Sequence, residues 1–126
     1  MSTFDIPKGH QAVMPYLILE GAADFREFME KVFGAEETFR RNDENGGIIH
    51  AELTVNGATI MFADSTANYP PSPAGMYIYC QDVDKTYQKA LDEGAHAIME
   101  PSDRDYGRAA GVKDPFGNTW WLTSSK

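Results

Sequence analysis

His50 and Glu52 are the residues of this sequence with the clearest capacity for chemistry. They lie two positions apart in the extended run GIIHAELTV, so both side chains should point to one face of a strand. A carboxylate beside an imidazole orients the ring and favours its protonated form, so the pair can relay a proton. Three other roles stay open: hydrogen bonding to a ligand, half of a displaced metal site, or a polar face meeting solvent or a partner subunit. Ile49, Ala51 and Leu53 should face the core.

Two adjacent tryptophans, Trp120 and Trp121, follow the stretch DPFG near the C-terminus. Asp, Pro and Gly occupy the positions that a type I turn favours, so DPFG is predicted to reverse the chain before the last strand. Neighbouring strand residues point to opposite faces. Trp120 should therefore pack under a helix, while Trp121, between Thr119 and Thr123, should lie on a mixed face typical of a pocket wall.

Four further side chains each have a separate interpretation. Arg108, in PSDRDYGRAAG, has the bidentate geometry to bind a carboxylate or phosphate of a ligand, and an ordinary salt bridge is the alternative. Cys80 is expected to be a small core hydrophobe under a helix. His10 and His96, in a tail and near a helix end, are expected at the surface.

The order of elements follows from hydrophobic periodicity. A strand at AVMPYLILE precedes a helix whose apolar stripe, Phe25, Phe28, Met29 and Val32, is followed by a stop at Gly34. Two extended runs then flank NDENGG, and GATIMFAD is the fourth strand. After STANYPPSPAG the pattern repeats: strand GMYIYCQ, a helix capped by Asp82 and stopped by Gly94, then the strands AHAIMEPS, GRAAGVKD and NTWWLTS.

This order predicts one α+β domain over 1–126, made of two βαβββ modules. Module 1 spans about residues 11–64, the linker 65–74 and module 2 about residues 75–125. Each module is too short to bury a sufficient core alone, so the two should pair within one chain or between two chains.

Composition narrows the function classes. The 126 residues carry a formal net charge of −8, which disfavours binding to nucleic acid and favours cations. No apolar run is long enough to span a membrane, and the N-terminus resembles no signal peptide. A single cysteine suits a reducing compartment, so a cytoplasmic location is expected.

The repeated βαβββ pattern, with DPFGN before the last strand, resembles the vicinal oxygen chelate superfamily of glyoxalases, bleomycin-resistance proteins and extradiol dioxygenases. The likeness runs from about Gln11 to Ser124. The wording YGRAAGVKDPFGNTWWL, with PYL and HAEL, resembles its PhnB-like branch.

The resemblance implies curled mixed sheets around a cavity, helices on the convex side, and pairing in a homodimer. It implies that the cavity is faced by Met14, Tyr16, Ile18, Gly75, Tyr77, Tyr79 and Trp121.

Metal-dependent relatives hold a divalent ion with His and Glu ligands. Their positions fall on Met14, Gly75, Trp121 and, for the fourth strand, 61–63, where none of these residue types stands. No metal or other cofactor is therefore predicted.

Two functions follow from the resemblance. The first is a metal-free protein that binds a small cationic or aromatic molecule through Met14, Tyr16, His50, Glu52, Tyr77, Tyr79, Arg108 and Trp121. The second is an enzyme of the glyoxalase or dioxygenase type, either metal-dependent or using His50 and Glu52 as catalytic residues.

Overall fold

The computed structural model describes residues 4–126. Its elements, in chain order, are β1 (Tyr16–Leu19), α1 (Ala22–Phe33), β2 (Glu36–Asn42), β3 (Ile48–Val55), β4 (Ala58–Asp64), β5 (Gly75–Tyr79), α2 (Val83–Asp92), β6 (His96–Arg104), β7 (Gly107–Lys113) and β8 (Thr119–Ser125). The predicted order of one strand, one helix and three strands, repeated once, is confirmed. Neither of these two helices has the length and apolar character that crossing a membrane requires.

The eight strands form two mixed sheets of four strands each. The N-terminal sheet has the order β1-β4-β3-β2 and the C-terminal sheet the order β5-β8-β7-β6. In both, the first strand pairs in parallel with the last strand of its module, and the remaining pairs are antiparallel. The α+β class with two βαβββ modules is therefore as predicted.

Helix boundaries follow local sequence signals. Gly34 ends α1 in the left-handed conformation, with φ of 70°, where a residue with a Cβ atom would be strained. The Asp82 side chain caps α2 by accepting a hydrogen bond from the backbone N–H of Lys85. The four apolar residues of the predicted α1 stripe are all buried.

The helices and the inner faces of both sheets share one hydrophobic core. The rings of Phe25 and Phe28 on α1 contact Phe116 of the C-terminal module, at centroid distances of 5.5 and 6.2 Å. The ring centroids of Phe33 on α1 and Trp120 on β8 are 4.9 Å apart. The modules therefore pack through their helix sides. We call the opposite side of each sheet its open face.

The DPFG turn is fixed by its aspartate. The backbone N–H of Gly117 donates to the carbonyl of Asp114, which closes the predicted turn. The buried Asp114 carboxylate also accepts bonds from two backbone N–H groups, from the Asn118 amide and, at 2.8 Å, from the indole Nε1 of Trp120. This network sets the orientation of β8 and places Trp120 in the core.

The predicted alternation of β3 is wrong at Ile49. Ala51 and Leu53 are buried as expected, but Ile49 is 50% exposed and Ile48 is buried in its place. The cause is a register irregularity between β2 and β3, where Arg41 pairs with His50 and the next residue, Asn42, pairs with Ile48. An extra residue at such a bulge reverses the faces of the residues beyond it.

Candidate functional site

His50 and Glu52 share the open face of the N-terminal sheet, as their spacing predicts. The Nε2 atom of His50 lies 2.8 Å from Oε2 of Glu52. The imidazole lies beside the rings of Tyr16 and Phe39, with centroids 5.4 and 5.8 Å away. Glu52, Met61 and Tyr16 are cross-strand neighbours on β3, β4 and β1.

His10 also binds Glu52, so its assignment to the surface is wrong. The Nε2 atom of His10 lies 2.7 Å from Oε1 of Glu52, and both side chains are largely shielded from solvent. The segment before β1 is held in place because the Gln11 amide donates to the carbonyl of Thr59 and the Thr59 hydroxyl donates to the carbonyl of Gly9. His96 is exposed, as expected.

Hydrogen-bond directions in this cluster are set by the carboxylate. Glu52, when ionised, only accepts hydrogen bonds, so both histidines must donate from Nε2. A neutral His50 then has an unprotonated Nδ1, and the Tyr16 hydroxyl, 2.9 Å away, donates to it. The result is a continuous chain of bonds from Tyr16 through His50 and Glu52 to His10, which we call the tyrosine–histidine network.

The network shifts two titrating groups in opposite ways. Burial alone would raise the pKa of Glu52, but the hydrogen bonds from His50 and His10 outweigh burial and hold its pKa below the ordinary value. The pKa of the Tyr16 phenol is raised, first by burial and then by the negative charge of Glu52. Near neutral pH the network therefore contains a carboxylate and a protonated phenol.

A hollow of about 740 Å³ lies on the open face of the N-terminal sheet. We call it the N-terminal hollow. Tyr16, Ile18 and Ile49 are among its apolar and aromatic walls, and Tyr69 of the segment between β4 and β5 completes them. Its lining also includes Asp43, Asp64, Ser65 and Thr66, but no lysine or arginine of the described chain. Tyr16 belongs to both the hollow and the network, so the two meet at this residue.

The linker after β4 and the Asp64 side chain shape this hollow. Ser72 donates its N–H to the carbonyl of Ile18, which holds the linker along the edge of β1. Two hydrogen bonds with Thr66 position Tyr69. The backbone N–H of Thr66 donates to the carbonyl of Tyr69, and the backbone N–H of Tyr69 donates to the Thr66 hydroxyl. The Asp64 carboxylate accepts from the N–H groups of Ala22 and Ile48, so it fixes the start of both α1 and β3.

Trp121 lies on the open face of the C-terminal sheet, whereas Trp120 is buried, as the alternation predicts. The indole of Trp121 covers Gly111 on β7 and remains 39% exposed. Tyr77 and Tyr79 are also exposed, and their ring centroids are 5.6 Å apart. These two tyrosines line a separate cavity of about 290 Å³ at the junction of the modules, together with Gln11 and Asn56.

The sequence-predicted binding residues therefore do not meet in one hollow within one chain. Tyr16, His50 and Glu52 are brought together on the N-terminal sheet, with the half-buried Met14 just before β1. Trp121 belongs to the other sheet. The roles of His10, Asp43 and Asp64 were missed from the sequence, because His10 and Asp43 lie outside the periodic segments and Asp64 is the last residue of β4.

Arg108 lies away from both open faces. It shares the helix side of β7 with Ala110 and Val112, and its guanidinium binds the Asp84 carboxylate through two bonds of 2.8 and 3.0 Å. A third bond of 3.0 Å joins it to Asp103. These bonds keep the pKa of Arg108 above its ordinary value and lower that of Asp84. The salt-bridge alternative therefore describes this side chain in the structure, and Arg108 lies apart from the other predicted binding residues.

The four metal positions implied by the resemblance do not fit an ion. They carry thioether, indole and apolar side chains and a glycine, which provide no imidazole or carboxylate. Within residues 4–126, no group of three or more His, Cys, Asp and Glu side chains is arranged to hold a metal. The groups of the tyrosine–histidine network that can themselves act chemically are a phenol, two imidazoles and a carboxylate.

Comparison with known proteins agrees with the fold. The family model described as Glyoxalase/Bleomycin resistance protein/Dioxygenase superfamily matches residues 14–122. The uncharacterised protein Rv0887c of Mycobacterium tuberculosis is 34% identical over 123 residues, which cover 88% of this chain and 72% of that protein. Mb0911c of Mycobacterium bovis, also uncharacterised, is 34% identical over 88% of this chain and 81% of its own length.

Two solved structures illustrate the structural likeness. A putative 3-demethylubiquinone-9 3-methyltransferase, a PhnB protein from Bacillus cereus, is 26% identical, with a TM-score of 0.74 over 91% of this chain and 100% of its own. TnmS3, an antibiotic binding protein from Streptomyces sp. CB03234, is 20% identical, with a TM-score of 0.67 over 93% of this chain and 100% of its own.

Proposed function

The chain belongs to the Glyoxalase/Bleomycin resistance protein/Dioxygenase superfamily, and from this premise we propose that it binds a small, cationic aromatic molecule without a metal. The observation that carries the proposal is the N-terminal hollow, which combines aromatic walls with two carboxylates and has no basic residue in its described lining. Its volume of about 740 Å³ suits a small organic molecule.

Charge and shape favour a cation over other ligands. Tyr16 and Tyr69 line the hollow with aromatic rings, and the faces of such rings attract ammonium groups and planar rings. Asp43 and Asp64 add negative charge at the wall, and the net charge of −8 makes the surrounding potential negative. An anionic ligand would meet repulsion here, because the described lining offers no lysine or arginine to neutralise it.

A role in sequestration is consistent with one structural neighbour. TnmS3 is an antibiotic binding protein, and this chain shares its fold. By analogy, we propose that this chain also binds and sequesters a small molecule in the cytoplasm. The N-terminal hollow would determine which molecule it binds.

We further propose that the functional unit is a homodimer. Tyr77, Tyr79 and Trp121 leave a large aromatic surface exposed on the C-terminal module, and Tyr16 and Ile49 do so on the N-terminal sheet. Exposed apolar patches of this kind mark interaction surfaces. Facing one sheet with the opposite sheet of a second copy would cover both. Light scattering should then give twice the chain mass of 14.0 kDa, and a monomer at micromolar concentration would contradict the dimer.

Calorimetry with matched ligand pairs tests the binding role. We expect aromatic ammonium ions, such as phenethylammonium, to bind more tightly than neutral molecules of the same shape, such as phenylpropane. Asp43→Asn should weaken only the cation, because the amide keeps the acceptor oxygen but loses the charge. Asp105→Asn, at an exposed turn away from the hollow, is the control. Equal affinity for both ligand types, or no binding by a broad panel of cations, would refute the proposal.

A second candidate function is catalysis, and the tyrosine–histidine network favours it. A phenol, imidazole and carboxylate in sequence can pass a proton, so a glyoxalase-type lyase or isomerase using His50 and Glu52 is the alternative. A turnover that His50→Ala leaves unchanged would remove the relay. Elemental analysis of protein purified without chelators tests the metal-free assignment, and about one Zn, Ni, Fe or Mn per chain would overturn it.

A further inference from the structure

The tyrosine–histidine network has one end in the N-terminal hollow and the other outside it. Tyr16 lines the hollow, whereas Glu52 and His10 lie behind His50, away from it. Any change of protonation within the network therefore reaches a ligand through the Tyr16 hydroxyl. Each oxygen of the Glu52 carboxylate accepts one N–H, from His10 and from His50. The carboxylate therefore fixes the orientation of both imidazole rings.

The direction of the bond between Tyr16 and His50 depends on one proton. With a neutral His50, the Tyr16 O–H points to Nδ1, and the phenol oxygen presents its lone pairs to the hollow. With a protonated His50, both ring nitrogens donate, so Nδ1–H points to the phenol oxygen. The Tyr16 proton must then turn outward, and the same hydroxyl presents a donor to the hollow.

We propose that Tyr16 is the direct hydrogen-bond contact of the ligand and that His50 switches it between acceptor and donor. This inference rests on the proposed binding function and specifies its ligand. At neutral to alkaline pH the hollow takes a ligand with an N–H donor, a primary or secondary ammonium. Protonation of His50 turns the acceptor into a donor, adds a positive charge, and releases that ligand.

The charged groups around His50 come from every neighbouring element. Glu52 lies on the same strand, Tyr16 on β1, Arg41 opposite His50 on β2, and His10 on the N-terminal segment. Asp43 and Asp64 line the hollow. His10 is the second histidine of the network. A variant at His50 is therefore required to separate the two histidines.

The ligand experiment compares phenethylammonium with its N,N,N-trimethyl analogue by calorimetry at pH 8 and pH 5. Both cations keep their charge over this range, but only the first has N–H donors. For the wild-type protein we expect phenethylammonium to bind about tenfold more weakly at pH 5, which is the loss of one hydrogen bond to a charged group. The trimethyl analogue should change much less.

Two variants assign the effect. His50→Gln cannot titrate, so the affinity for phenethylammonium should become independent of pH. Tyr16→Phe should bind it at pH 8 about as weakly as the wild type does at pH 5, with no further loss on acidification beyond the small one that the trimethyl analogue shows. An equal loss for the trimethyl analogue would show simple charge repulsion and overturn the inference, as would a pH effect that survives in His50→Gln. Binding without any pH effect refutes this inference alone, whereas absence of binding at every pH refutes the proposed function.

A measurement without ligand tests the switch itself. Nitrogen chemical shifts should show His50 protonated at Nε2 and bare at Nδ1 at pH 8. The Cζ signal of Tyr16 should move with the midpoint of the His50 titration, and this movement should vanish in His50→Gln. The opposite tautomer, or a Tyr16 signal indifferent to His50, would overturn the inference.

Discussion

Gly111→Ala is the substitution whose effect the structure defines most sharply. A Cβ atom at this position would lie 2.6 Å from Cζ3 and 2.8 Å from Cε3 of Trp121, and 3.6 Å from Cβ of Ile98. Carbon atoms pack best about 3.5 to 4.0 Å apart, so the indole must move by about 1 Å. Trp121 is 39% exposed in the single chain, so in the monomer, at protein concentrations too low for the proposed dimer, it can move outward.

The expected loss of stability is about 1 kcal/mol relative to the Gly75→Ala control, and at most about 0.5 kcal/mol relative to the wild type. Overpacking typically costs about 1 to 3 kcal/mol, and the outward path for Trp121 places this case near the lower end. Alanine also restricts the unfolded chain, which returns about 0.4 to 1 kcal/mol. The matched control is Gly75→Ala, on β5 of the same sheet, where a Cβ would meet nothing within 4 Å. That variant should be neutral or slightly stabilised.

Urea unfolding and acrylamide quenching of tryptophan fluorescence measure the two consequences. The free energy of unfolding should fall for Gly111→Ala and not for Gly75→Ala. Quenching should increase only for Gly111→Ala, because Trp121 is displaced towards solvent while Trp120 stays buried. If the two variants have equal stability and equal quenching, the indole does not lie over Gly111, and our description of the open face is wrong.

Three further substitutions or treatments test other parts of the account. Asp114→Ala should lower the free energy of unfolding by about 3 to 5 kcal/mol, measured in urea. The substitution leaves the buried indole N–H of Trp120 and the donors beside it without an acceptor. Glu52→Gln should cost about 1 to 2 kcal/mol at pH 7, and the difference from wild type should shrink as the pH falls below about 4. The sign follows because the folded-state pKa of Glu52 is lowered, so its stabilisation is present above the ordinary pKa and is lost as the pH falls through the folded one. Cys80 should react with a disulfide reagent at pH 8 several-fold more slowly than an unstructured cysteine, because burial raises the pKa of its thiol.

Each of these has a contradicting outcome. A loss below about 1 kcal/mol for Asp114→Ala would mean that the turn network is not formed as described. A difference between Glu52→Gln and wild type that grows on acidification would reverse the assigned direction of the Glu52 pKa. If the Cys80 thiol reacts as fast as an unstructured cysteine, the side chain is not shielded by burial as described.

The sequence predicted the elements because their signals are local. Helix α1 shows its stripe within one window, and Gly34 and Asp82 sit where the chain ends or begins a helix. The opposite faces of Trp120 and Trp121 follow from strand alternation alone. The failure at Ile49 has a physical cause, since a bulge depends on how β2 and β3 pair, and that pairing is absent from the pattern of one strand.

The site was predicted only in part because its contacts are long-range. His50 and Glu52 were found together because they are two residues apart, whereas His10 lies 42 positions from Glu52. The bond from Tyr16 to His50 crosses β4, so it requires the sheet order β1-β4-β3. Arg108 was placed among the ligand-binding residues, with a salt bridge as the alternative, because the sequence shows a guanidinium but not its neighbour Asp84, which lies 24 residues away on α2.

The most direct test of the binding role is a map of where an aromatic cation touches the protein. In a titration with phenethylammonium at pH 8, amide and side-chain NMR signals of Tyr16, Ile18, Ile49 and Tyr69 should shift together and saturate. Phenylpropane should shift them far less. Perturbations confined to the Arg108 side of α2, or no saturable change at these four residues, would contradict the account.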